Sequence, residues 1–175
     1  MLKTFISLSI LIGFFSTPFL NDINLHFNKG MNFYKSYVYD SAIIEFTHCI
    51  NLDSNFADAW FYRAQSKDRL PIKDTNNLKS AIEDYTVSIR LKPNPIAYNN
   101  RGQDKAILGD PDAAILDYQA AVNLDSTYGP GYYNLASAIY NKGKYKEACS
   151  LWIKAKYLNP KLTPIVDQQL KTYCE

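Results

Sequence analysis

Small residues stand four positions ahead of large aromatics again and again along this chain: Ala42 and Phe46, Ala81 and Tyr85, Ala114 and Tyr118, Ala148 and Trp152. Four residues is slightly more than one helical turn, so each pair shares a helix face. The small residue admits a neighbouring helix and the aromatic fills the space beside it. A second small residue lies upstream of each pair, at Gly30, Ala64, Gly102 and Ala136. The paired alanines are 39, 33 and 34 residues apart and the upstream residues 34, 38 and 34 apart. This period near 34 predicts helix–turn–helix units over 23–56, 57–94, 95–128 and 129–162, the second lengthened near 70–77. Gly109 suits the left-handed residue that ends a helix, Asp110 the next cap and Pro111 the first helical position. Pro95 and Pro164 suit first turns as well, the latter with Thr163 as its cap. Over 163–175, Ile165, Val166, Leu170 and Tyr173 oppose Asp167, Gln168 and Lys171. That pattern predicts an amphipathic capping helix and an array that ends there.

This arrangement resembles the tetratricopeptide repeat family, whose unit is a 34-residue helix–turn–helix. The third unit, PIAYNNRGQDKAILGDPDAAILDYQAAVNLDS, is the best match, and the fourth, GPGYYNLASAIYNKGKYKEACSLWIKAKYLNP, is close behind. The second keeps Ala57-Asp58-Ala59-Trp60 and Leu91-Lys92-Pro93. The first departs most, with His26 where an aromatic is usual and Ser54 in place of the terminal proline. The resemblance implies an all-α fold: a right-handed superhelical solenoid of four helix pairs plus a C-terminal capping helix, stabilised by adjacent interfaces. It also implies a scaffold or adaptor that binds a protein or peptide, with the first helix of each unit lining a concave groove.

Carried over unit by unit, the groove positions are Asn24, Phe27, Met31 and Tyr34, then Asp58, Phe61, Gln65 and Arg69. The third unit supplies Asn99, Asn100 and Gln103, and the fourth Tyr133, Asn134, Ser137 and Tyr140. Of these, Phe27, Met31, Phe61, Gln65, Asn99, Asn100, Gln103, Tyr133, Asn134 and Ser137 form the candidate partner-binding set. Amides can pair with the peptide groups of an extended ligand, and aromatic rings can cover its apolar side chains. A largely neutral peptide is therefore the expected ligand. A subgroup of the family clamps acidic chaperone tails with Lys, Arg and Asn. Here Phe27 and Met31 hold the early clamp positions and only the asparagines recur. A cytosolic co-chaperone is thus the alternative reading.

Composition narrows the function classes. The chain has 175 residues, 47% apolar and 21% charged, with a formal charge of +2. That is one domain or one short array, not a disordered chain. A near-neutral balance excludes a dedicated nucleic-acid binder, which needs basic residues gathered against phosphates. No Gly-x-Ser-x-Gly elbow or Gly-x-x-x-x-Gly-Lys loop is present. His48 adjoins Cys49, but helical neighbours point about 100° apart and cannot form a nucleophile–base pair. Cys49 sits where a small packed residue is expected, and Glu83-Asp84 reads as a solvated face. No catalytic residue follows. The three cysteines contain no Cys-x-x-Cys pair, and the two histidines, His26 and His48, stand apart. Neither a metal site nor a cofactor is expected. Cys149 and Cys174 admit two readings: unrelated thiols, or a bridge stapling the last helix in an oxidising compartment.

Residues 5 to 20 carry no charge and follow the basic start Met1-Leu2-Lys3. Broken by Pro18, this run is short against the roughly 20 residues of a membrane-spanning helix. A cleaved export signal over 1–21, an uncleaved anchor and an apolar helix packed on the first unit all remain open. Export to the cell envelope or beyond is favoured, with 1–21 as the tie if the protein is membrane-associated. These residues are set aside from the fold. The insertion near 70–77 reads as a tolerated loop extension. Lys142, Lys144, Lys146, Lys154, Lys156 and Lys161 read as a solvated basic face, with contact to an acidic partner or an anionic membrane surface as the alternative.

Overall fold

A computed structural model describes residues 16–70 and 75–174 of the chain. The described residues form nine α-helices and no strand: α1 (Ser16–Lys35), α2 (Tyr39–Leu52), α3 (Ala57–Asp68), α4 (Thr75–Leu91), α5 (Pro95–Ile107), α6 (Pro111–Leu124), α7 (Gly129–Asn141), α8 (Tyr145–Leu158) and α9 (Thr163–Tyr173). A 3-10 turn, Pro160–Leu162, leads into α9. Helices pair in sequence, α1 with α2 through α7 with α8, and each pair packs on the next. First helices also touch one another, α1 with α3 and α5 with α7. The result is a solenoid.

The small and aromatic residues meet as their spacing dictates. Ala42, Ala81, Ala114 and Ala148 are fully buried, and Phe46, Tyr85, Tyr118 and Trp152 lie within the core. A Cβ added to Gly102 would sit 2.8 Å from the Tyr118 ring, and one added to Gly30 would sit 2.7 Å from the Phe46 ring. Close approach of the first helix to the aromatic of the second is what requires glycine there. Turns follow the same economy of means. Gly109 and Gly143 end their helices with φ of 86° and 78°, whereas the corresponding residue of the first unit is Tyr37 at φ 63°. Asp110 caps α6 by accepting from the Ala113 N–H, and Asn94 caps α5 by accepting from that of Ile96. Thr163 differs from expectation: it is the first residue inside α9, because the 3-10 turn delivers the chain in helical conformation.

The segment set aside from the fold is partly helical. Residues 16–21 are continuous with α1, while residues 1–15 lie outside the described residues, and the readings of an export signal or anchor fall largely on them. No helix among the described residues is long and apolar enough to cross a membrane.

Two of the four units carry charge at their centre, and one of the buried carboxylates is Asp84, expected on a solvated face. Asp84 is 3% exposed and takes a bidentate contact from Arg63, Nε to Oδ2 at 2.8 Å and Nη2 to Oδ1 at 2.7 Å. Lys67 Nζ adds a third contact at 2.6 Å. The third unit repeats this arrangement with Arg101, Lys105 and the buried Asp117, at 2.9, 2.7 and 2.8 Å. In both, the remaining guanidinium arm crosses to the preceding unit: Arg63 donates to Thr47 Oγ1 at 3.1 Å and Arg101 to Thr86 Oγ1 at 3.0 Å. Each guanidinium also lies over an aromatic of its own helix, Trp60 or Tyr98. Residues 34 positions further on, in the fourth unit, are Leu135, Ile139 and Leu151, which join an apolar core around Trp152.

Cys149 and Cys174 form a disulfide between α8 and the end of α9. Closing a loop over a 25-residue separation contributes on the order of 3 kcal/mol in chain-entropy models. Cys49 is the free, buried thiol, donating to the Ile23 carbonyl at 3.6 Å, and burial pushes its pKa up to about 11. It behaves as packing, not as a nucleophile. The basic face is partly neutralised: Lys142 pairs with Asp112 and Lys156 with Asp167, and Lys154 covers the Tyr132 ring.

Candidate functional site: a groove along the first helices

Two neighbouring cavities, of about 360 and 370 Å³, share Ala106 and Tyr118 as lining. The first continues through Asn134, Ser137, Ala138, Asn141 and Lys142. The second is bounded by Asp68, Gln103, Asp104 and Ile107. A third, of about 220 Å³, shares Ser137 and Asn141 with the first and runs on to Tyr140, Trp152, Gln169 and Tyr173. Together they trace one depression from the end of α3 across α5 and α7 to α9.

A directional hydrogen-bond chain underlies it. Asn134 Nδ2 donates to Asn99 Oδ1 at 2.8 Å, and Asn99 Nδ2 to Asn100 Oδ1 at 3.4 Å. Asn100 Nδ2 donates to the Tyr85 oxygen at 3.2 Å, and the Tyr85 hydroxyl to the Asp68 carboxylate. Every donor points towards Asp68, so each bond polarises the next. The chain links three successive units and fixes the orientation of its amides.

Of the residues assigned to partner binding, Gln103, Asn134 and Ser137 line the cavities, and Asn99 and Asn100 belong to the chain beneath them. Tyr133 is half-buried against the core of the fourth unit and donates nothing to the cavities. Gln65 is buried and accepts from the Tyr34 hydroxyl at 2.7 Å. Phe61, 7% exposed, packs edge-on against Tyr62 and Tyr85. Phe27 sits among Phe46, Phe56 and Tyr62. Phe61 thus belongs to the core of its own unit, while Phe27 reaches Tyr62 of the next one. Met31 is half-buried on α1. Sequence reasoning missed Asp68, Ala106, Tyr118 and Asn141. Asn141 was the most accessible of these, since it ends the same helix as Asn134 and Ser137.

Tyr85, Tyr118 and Tyr128 hold their protons above the usual phenol range. Burial is the main cause in each, reinforced by Asp68 at Tyr85, by Asp104 at Tyr118 and by Asp125 at Tyr128. Tyr118 and Tyr128 are pushed up to about 12. Unfolded phenols lose their protons near pH 10 while these do not, so the folded state binds more protons above that pH. Stability should therefore hold below about pH 10 and fall from there through about pH 12. Denaturant melts followed with phenolate absorbance should lose midpoint and gain absorbance together; a midpoint indifferent to pH in that window would contradict the assignment.

Helix pairs stacked in series define a repeat protein of the α-solenoid type. The third unit, residues 96–128, matches the family model for the tetratricopeptide repeat. The chain carries a tetratricopeptide repeat at that place. It is 31% identical over 109 residues to the small glutamine-rich tetratricopeptide repeat-containing protein 2 of Mycosarcoma maydis, covering 62% of this chain and 30% of that protein. It spans under a third of the length of three curated relatives it matches, 30%, 17% and 22%. Among solved structures, MamA superposes with a TM-score of 0.72 at 20% identity, over 89% of this chain and 86% of that one. The first tetratricopeptide domain of Spaghetti (RPAP3), bound to the HSP90 peptide SRMEEVD, superposes with a TM-score of 0.64 at 21% identity, over 70% and 94%.

Proposed function

We propose that this chain is a non-enzymatic adaptor that holds an extended, largely neutral peptide segment of another protein in the groove. One observation carries the reading: adjoining cavities reach across three units, lined by Gln103, Asn134, Ser137 and Asn141 beside the apolar Ala106, Ala138 and Tyr118. Amides of this kind match the donors and acceptors of an extended backbone. The structural neighbour with a bound peptide supports the site, but the peptide it holds is acidic. Here Phe27 and Met31 stand at the early clamp positions, so the cationic clamp that would hold an acidic tail is not in place there. Export is part of the proposal. The disulfide supports it, since such bonds persist in oxidising compartments. Fractionation of cells with sequencing of the mature amino terminus tests it, and an intact chain in the cytosol would refute it.

The groove is tested by titrating SRMEEVD and a pool of uncharged extended peptides against the chain and its Gln103→Ala/Asn134→Ala variant. Neutral peptides should bind better, and the variant should bind them at least about tenfold more weakly while remaining as helical as the parent. Preference for SRMEEVD would favour the co-chaperone reading instead.

A further inference from the structure

We propose that the Cys149–Cys174 disulfide is a redox latch on the groove, resting on the reading of that groove as the binding site. Three features meet at its fourth-unit end. Gln169 and Tyr173 of α9 form the end wall of the cavity that continues the groove past Ser137 and Asn141. The Tyr173 ring lies 4.6 Å from that of Tyr140 and is stacked 6.3 Å from that of Trp152, so it covers aromatic surface at the site. The bridge joins the residue next to Tyr173 to α8.

The two halves of α9 are held differently. Val166 is fully buried and Leu170 packs on the same core, which anchors the first two turns without help from the bridge. The last turn has the ring contacts and the disulfide, and Tyr173 is 45% exposed even when docked. A helix of 11 residues is marginal alone, and a terminal turn with few buried contacts opens at little cost. Cys174 is exposed, so a thiolate can reach its sulfur.

The exchange is an ordinary one. A thiolate of a dithiol reductant attacks Cys174 Sγ, forming a mixed disulfide and expelling the Cys149 thiolate, which takes a proton. The second thiol of the reductant then closes its own disulfide and releases Cys174 as a thiol. Two electrons pass to the protein and the dithiol is oxidised. The last turn is then free to leave, uncovering Tyr140 and Trp152 and opening the groove at that end. Oxidation closes it.

The full chain is compared before and after dithiothreitol, beside a Cys149→Ser/Cys174→Ser variant that never forms the bridge. Amide exchange over 170–174 should quicken about tenfold or more on reduction, with the earlier helices unchanged. In a Trp60→Phe background, acrylamide should quench Trp152 more steeply in reduced protein and in the serine variant. Oxidised Tyr173→Ala should show the steeper quenching without reduction. Unchanged exchange and quenching would overturn the latch. Faster exchange throughout α7 and α8 would overturn it too, marking the bridge as a general staple. None of these readouts uses a peptide ligand, so failure of peptides to bind would refute the adaptor reading and leave the latch to its own result.

Discussion

Asp117→Ala should lower the stability of the chain by about 3–5 kcal/mol, the cost of breaking a buried ion pair from one side. The carboxylate is 4% exposed and is the shared partner of Arg101 and Lys105, whose side chains are 14% and 24% exposed. Removing it leaves two cations facing each other in a site with little water. They cannot simply turn outward, because Arg101 is also held by Thr86 and by the Tyr98 ring. The informative comparison is Arg101→Leu/Lys105→Ile/Asp117→Leu, which copies the residues of the fourth unit. That triple change should be far closer to neutral than the single one, since apolar replacement of a whole buried ionic group often costs nothing. Urea melts of the three proteins decide it, and a triple variant as weak as Asp117→Ala would show that the fourth unit's solution does not transfer.

Trp152→Ala should be of similar size, about 3–5 kcal/mol, for a different reason. Trp152 is 2% exposed and is the largest fully buried side chain among the described residues. It is the aromatic of the fourth unit's small–aromatic pair, facing Ala136 and Ala148, and Tyr140 and Tyr173 lie beside it. Its loss opens a void that helices pinned at both ends cannot collapse to fill. Calorimetry should show a single transition moved down by roughly 6–20 °C, at about 2–4 °C per kcal/mol for a chain of this length. A shift of a degree or two would mean that α9 settles into the space.

The architecture was legible because it is written in local spacing. A small residue and an aromatic four apart declare a helix face, and their recurrence declares the repeat, with no need to know what lies across the interface. Gly109, Asp110 and Pro111 were legible for the same reason, each fixed by its own backbone geometry. Asp84 and Asp117 were not. A carboxylate on a helix reads as solvated until the cations that bury it are placed beside it, and Lys67 and Arg63 approach from another helix. Phe61 and Phe27 were assigned to the groove from their positions within the unit, and the structure packs neighbouring rings against both. The amides Asn99, Asn100 and Asn134 were singled out from position alone. Their common orientation was invisible, because it depends on Tyr85 and Asp68 two helices away. The disulfide likewise depended on where α9 docks.

The arms that Arg63 and Arg101 extend to Thr47 and Thr86 make each of those joints a lock with its own key. The second unit fits a predecessor with threonine at that place, as does the third, while the fourth presents Leu135 to a predecessor that offers Gln119. Exchange of units is therefore not free. The third could follow another copy of the second, but placed after itself it would set Arg101 against the longer amide of glutamine in place of the threonine hydroxyl. A chain that grew by copying its own segments could have lengthened in the middle without repair, and at its far end only by changing the key.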